Sequence, residues 1–183
     1  MDASRHARLA IGAAALVLVA VQTVVAAEAP RRAVARVEAP SDIERKFIGA
    51  WQLVRIERRN AKGDVIDVQR DRIGLIMYGP AGQMIVHHQA ATRPPFAAAD
   101  PTGDEAKAAL ASVTAYFGTY AINEKEGFIT HRAQGNVNPA GSGRDEKRFY
   151  RFDDDLLILQ PPPTVVNGEP QTTYIVWRRV KAS

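Results

Sequence analysis

Cysteine is absent from this 183-residue chain, so no disulfide can staple it, and strand pairing and core packing must hold it together. Histidine is nearly absent: there are four, and only His87, His88 and His131 lie beyond the N-terminal stretch. Long hydrophobic runs are limited to Leu9–Val21, which falls short of the ~20 residues needed to cross a bilayer and is followed by Gln22 and Thr23. There is no Gly-x-Ser-x-Gly elbow, and Ser112 falls in a helical pattern, so serine-hydrolase chemistry has no support. Gly141-Ser142-Gly143 lacks the lysine and following helix of a phosphate loop. No aromatics interleave with a basic stripe, so the net charge of +4 does not imply a nucleic-acid partner. No internal repeat is visible.

What is present begins with an export pattern. Arg5 and Arg8 precede the apolar run, and Val25-Ala26-Ala27 places small residues at the −3 and −1 positions of a cleavage site. Residues 1–27 therefore read as a signal peptide, cleaved after Ala27, and the expected location is periplasmic or secreted, with no membrane span after cleavage. Residues 28–46 read as a linker followed by a short helix, because Ser41-Asp42-Ile43-Glu44 matches a capping box. Residues 47–181 form one domain of a size to hold a single core.

Within that domain the pattern is strands and turns. Trp51–Arg59, Ile73–Tyr78, Met84–Gln89, Tyr116–Asn123, Phe128–Gln134, Glu146–Phe152, Leu156–Gln160 and Thr172–Val180 read as eight strands, with Val65–Gln69 a possible further pairing segment. Turn clusters stand at Gly79–Gly82, Glu124–Gly127 and Asp153–Asp155, while Pro161–Pro163 and Asn167-Gly168 read as a stiff loop. One long excursion opens at Arg93-Pro94-Pro95-Phe96 and carries a helix over Asp104–Ala115, started by Thr102 or Gly103. Consecutive hairpins predict an all-β fold, an eight-stranded antiparallel up-and-down barrel with one helix in a long loop; an open sandwich is the rival.

Gly49-Ala50-Trp51 opens the first strand, and Trp177-Arg178-Arg179 closes the last. Between them, in order, stand Arg93-Pro94-Pro95-Phe96-Ala97, Tyr116-Phe117-Gly118-Thr119-Tyr120, Thr130-His131 and Arg148-Phe149. Together these resemble the lipocalin-like domain family of bacteria and fungi over Ile48 to roughly Val180. The resemblance implies a compact barrel with a central pocket, and activities from passive carriage to isomerisation and cyclisation. It also implies that an arginine at the chain's end covers the Trp51 ring. Alternation puts Thr173, Ile175, Trp177 and Arg179 on one face, which favours Arg179 over Arg178. Departures from the family pattern are His87, at a Gln-type position, and the Asn136–Gly143 loop, which could reshape the pocket mouth.

Each candidate residue carries more than one reading. His131, mid-strand, could meet a ligand or act as acid or base, or be a core histidine with both nitrogens occupied. Tyr116 and Tyr120 share a face across Gly118 and could wall a pocket or simply pack the core. Arg148 could grip an anion, be held by an internal acid, or point outward. His87 and His88 point to opposite faces, so at most one can join His131 inside, and a metal site is not expected. The expected ligand-contacting set is thus Tyr116, Tyr120, His131, Arg148 and His87, with Gly49, Trp51 and Arg179 structural. No pattern calls for a cofactor. The expected partner is a small hydrophobic molecule held in the barrel; the alternatives are an isomerase or cyclase using the same cavity, or a structural envelope module with a filled barrel.

Overall fold

The computed structural model describes residues 40–181; the expected signal peptide and residues 28–39 of the expected linker lie outside them. Ser41 caps helix α1 (Asp42–Phe47): its side chain accepts from the Glu44 amide while the Glu44 carboxylate accepts from the Ser41 amide, which satisfies two of the orphan donors of a helix start. The helix delivers Phe47 to the core and hands over to β1 (Gly49–Arg59).

The remaining strands are β2 (Val65–Gln69), β3 (Arg72–Tyr78), β4 (Gln83–Ala90), β5 (Val113–Asn123), β6 (Phe128–Asn136), β7 (Asp145–Asp153), β8 (Leu156–Gln160), β9 (Thr164–Val166) and β10 (Glu169–Arg179). The order β1-β3-β4-β5-β6-β7-β8-β10 is antiparallel throughout, and β1 pairs back onto β10, so these eight strands form a closed barrel. Closure removes the exposed edges that an open sheet would present. Strand β2 pairs with the second half of β1 and β9 with the start of β10, as flaps on the barrel rim.

Two elements differ from the sequence expectation. The second helix, α2, spans Gly103–Ala111 and not Asp104–Ala115. Thr102 caps it, and it stops at Ser112 because β-branched Val113 and Thr114 pair with Gln89 and His88 of β4. This helix buries none of its residues. The segment after Pro163 is not merely a stiff loop: Asn167 (φ 52°) and Gly168 (φ 82°) form a two-residue turn that pairs β9 with β10.

Alternation sends one face of each strand inward. Trp51, Tyr78, Ile76, Ile129, Leu157, Leu159 and Trp177 are among the fully buried side chains. A bulge between Leu53 and Arg55 shifts the β1 alternation, so that Ile56 faces Ile175 beyond it. At Gly118, beside a second bulge, a Cβ would sit 1.9 Å from the Arg132 carbonyl oxygen. Only glycine permits that approach of two strands.

The floor is sealed around Phe47, whose ring meets Tyr78, Tyr150 and Phe152 edge-on at 5.2, 5.0 and 5.0 Å. The Trp51 indole donates to the Phe47 carbonyl at 2.9 Å. The Arg179 guanidinium lies 4.0 Å from the Trp51 ring centroid and donates to the carbonyls of Ile48, at 3.0 Å, and Lys46. Arg178, by contrast, is exposed beside Asp155. Replacing Trp51 with Ala should lower the unfolding free energy by about 3–5 kcal/mol, as for truncation of a large buried aromatic, measured by chemical denaturation; an unchanged value would remove the indole from the floor. Gly118→Ala should destabilise by about 1–3 kcal/mol or more through overpacking, read in the same experiment.

Candidate functional site

Strand β6 carries His131 inward, where it is 1% exposed. Its Nε2 lies 2.8 Å from the Tyr78 hydroxyl of β3, and its Nδ1 lies 2.8 Å from the Tyr116 hydroxyl of β5. Both nitrogens are thus occupied, as in the core-histidine reading. Burial first, and the Arg148 charge second, push its pKa down to about 3, so the ring is neutral at pH 7.

Neutrality leaves one ring proton to place. Tyr78 is 2% exposed, and among the described residues its hydroxyl meets no partner except Nε2. An unspent buried O–H costs about 1–3 kcal/mol, so Tyr78 donates to Nε2 and the ring proton sits on Nδ1. That N–H then donates to the Tyr116 oxygen, which leaves the Tyr116 hydrogen free to point elsewhere. Burial raises the Tyr116 pKa to about 12, so the hydroxyl keeps its proton.

His88 follows the same logic. It is 7% exposed, and its Nδ1 accepts from Arg72 Nε at 3.1 Å. An arginine only donates, so the His88 proton is on Nε2. Burial, then the charges of Arg72 and His87, lower its pKa to about 4. Arg72 also donates to the Ser112 carbonyl at 3.2 Å, tying the barrel rim to the end of α2.

Arg148 of β7 faces inward opposite Ile129 and its side chain is 14% exposed. One terminal nitrogen, Nη1, donates to Glu146 at 3.2 Å and to the Lys147 carbonyl at 2.8 Å. Its guanidinium also stands within hydrogen-bonding reach of the Tyr116 oxygen. Trp177 of β10 is 1% exposed, and its Nε1 is a buried donor without a partner among the described residues.

These groups surround one small chamber. A cavity of about 60 Å³ is lined by His88, Thr114, Tyr116, His131, Arg148 and Trp177, with Ile76, Val86, Leu159 and Ile175 closing the rest. That volume holds about two waters and lies far below the ~300 Å³ at which drug-sized ligand sites begin; the barrel is filled for most of its depth. A cleft of about 330 Å³ adjoins it under the loop from Asn136 to Arg144, sharing Thr114 with the chamber and lined also by Glu146, the partner of Arg148. A separate cleft of about 470 Å³ lies between the Thr92–Phe96 segment and α2, and contains none of the candidate residues.

The sequence-derived set therefore divides. Tyr116, His131 and Arg148 meet at the chamber. Tyr120 does not: its hydroxyl donates to the Gly79 carbonyl at 2.9 Å and its ring meets Tyr78 at 5.1 Å, in the packed part of the core. His87 is corrected: it is exposed on the outer wall, and His88 is the inward residue. The signal was in β4 itself, because Gln83 and Gln89 share the His87 face while Met84 and Val86 share the His88 face. Sequence reasoning missed Tyr78 and assigned Trp177 no polar role; no local signal marks an indole N–H that lacks an acceptor.

A family model described as a lipocalin-like domain matches residues 48–180. No curated protein matches the chain.

The depressed histidine pKa values make stability depend on pH with a defined sign. The unfolded chain binds protons on these rings near pH 6.5 while the folded protein does not, so stability is full above that value and is lost on acidification towards pH 4 and 3. Between pH 7 and 5, above the carboxylate range, His131 alone should remove about 2 kcal/mol, with His88 adding in the same direction. Denaturant midpoints at the two pH values test this; His131→Gln should flatten the dependence, and a pH-independent wild-type midpoint would contradict the neutral assignment.

Proposed function

Given that the chain belongs to the lipocalin-like domain family, we propose that it is an exported protein that binds a small molecule with an apolar body and one polar end through its barrel. The observation carrying this reading is the Trp177 N–H, buried without an acceptor among the described residues at a chamber also lined by His88, Tyr116 and Arg148. Buried polar groups are satisfied in the great majority of folded proteins, and a bound group in the chamber would satisfy this one. The adjoining cleft of about 330 Å³ is within the size range of small-molecule sites and would take the ligand's body. Export is supported by the basic, apolar and small-residue pattern of residues 1–27.

A filled structural barrel is the second reading, and the small chamber volume favours it. Catalysis by His131 has less support, because both ring nitrogens are engaged and its depressed pKa leaves it a poor base. Native mass spectrometry of protein purified gently from its host's envelope decides between binding and filling. The expected result is a reproducible extra mass that organic extraction removes. Bare protein that also fails to enhance the fluorescence of an anilinonaphthalene sulfonate dye would establish the filled barrel.

A further inference from the structure

The chamber wall has a polarity that the binding reading does not require. Trp177 can only donate through Nε1. His88 has spent its accepting nitrogen on Arg72, so it offers Nε2–H. Tyr116 accepts the His131 N–H on one lone pair, by the requirement that buried Tyr78 be satisfied, and faces Arg148 with the other, so it offers its hydrogen. Arg148 offers what Glu146 and the Lys147 carbonyl leave free. Against these donors the lining side chains offer as acceptors the Thr114 hydroxyl and the second lone pair of Tyr116, and no carboxylate lines the chamber.

We infer that the chamber is a subsite for a carboxylate, the acidic end of the ligand whose body occupies the adjoining cleft; this rests on the binding reading above. A carboxylate has only acceptors, with about four lone-pair positions on two oxygens. It matches an indole N–H, an imidazole N–H, a phenol and a guanidinium converging on a space of about 60 Å³. Arg148 supplies the counter-charge that makes burying the anion tolerable. Glu146, 38% exposed and 3.2 Å from Arg148 on the cleft side, holds the guanidinium in place before the ligand arrives. The Tyr78–His131 pair acts behind Tyr116 as a positioning unit, donating to its oxygen and so freeing its hydrogen for the chamber.

The full folded protein can be tested with acetate alone, against acetamide as a neutral probe of the same shape. Its two indole N–H signals are separable by ¹⁵N–¹H NMR, and Trp177→Phe assigns them. Acetate should move the Trp177 signal saturably, leave Trp51 unmoved because that N–H is held by the Phe47 carbonyl, and acetamide should move neither. Arg148→Met should weaken acetate at least about tenfold, the loss of a charged hydrogen bond, and Tyr116→Phe should weaken it while leaving the fold intact. Equal shifts with acetate and acetamide would overturn the carboxylate assignment and leave the binding reading standing. No shift with acetate would overturn the subsite itself, and the mass of the host-purified protein would judge the binding reading separately.

Discussion

The seam between β1 and β10 is the contact on which the rest of the molecule depends. It joins the two ends of the domain, and its lower end is locked by Arg179 stacked on Trp51 and hydrogen-bonded to the Lys46 and Ile48 carbonyls at the C-terminal end of α1. A planar cation suits this place because it can cover an aromatic face and donate in-plane at the same time. With the seam shut, every strand of the barrel has two neighbours and the interior is closed off from water at the floor. Hydrophobic side chains from all eight strands can then meet in one core.

A dry interior sets severe terms for the polar groups inside it. An ionised imidazole would carry a heavy desolvation cost, so His131 and His88 are held neutral. A neutral imidazole must place one donor and one acceptor, and Tyr78, Tyr116 and Arg72 supply what is required. The network is therefore directional: donation runs from Tyr78 through His131 to Tyr116, and from Arg72 to His88. Both chains end at the same chamber with a hydrogen to give. Trp177 and Arg148 end there too. In a core where other buried side-chain groups find partners, this is the place where donors exceed acceptors, and that imbalance gives the chamber its chemical identity.

The parts of the fold legible in the sequence were those written in local chemistry or simple period. The capping box at Ser41, the Gly79–Gly82 and Asp153–Asp155 turns, and the alternation selecting Arg179 over Arg178 each depend on a few neighbouring residues. The α2 boundary was not legible because Val113–Ala115 sits between a helical composition on one side and a strand on the other, and pairing with β4 decided it. At the site, His131, Tyr116 and Arg148 could be named, since they are polar side chains on inward-facing strand positions. Their roles could not, because a hydrogen-bond direction depends on partners from three strands brought together by register. The His87/His88 choice lay between: adjacency showed that the two rings diverge, and only the polar company of His87 on its own face told which one points out.

The proton position on His131 carries the central claim, because it alone makes Tyr116 a donor to the chamber. Nitrogen-15 chemical shifts of the labelled imidazole in the full protein report it directly. At pH 7 the Nδ1 shift should be that of a protonated nitrogen and the Nε2 shift that of a bare one, with no imidazolium appearing on titration to pH 5. Protonation at Nε2 instead, or an imidazolium within that range, would reverse the direction of the network and contradict a chamber built of donors.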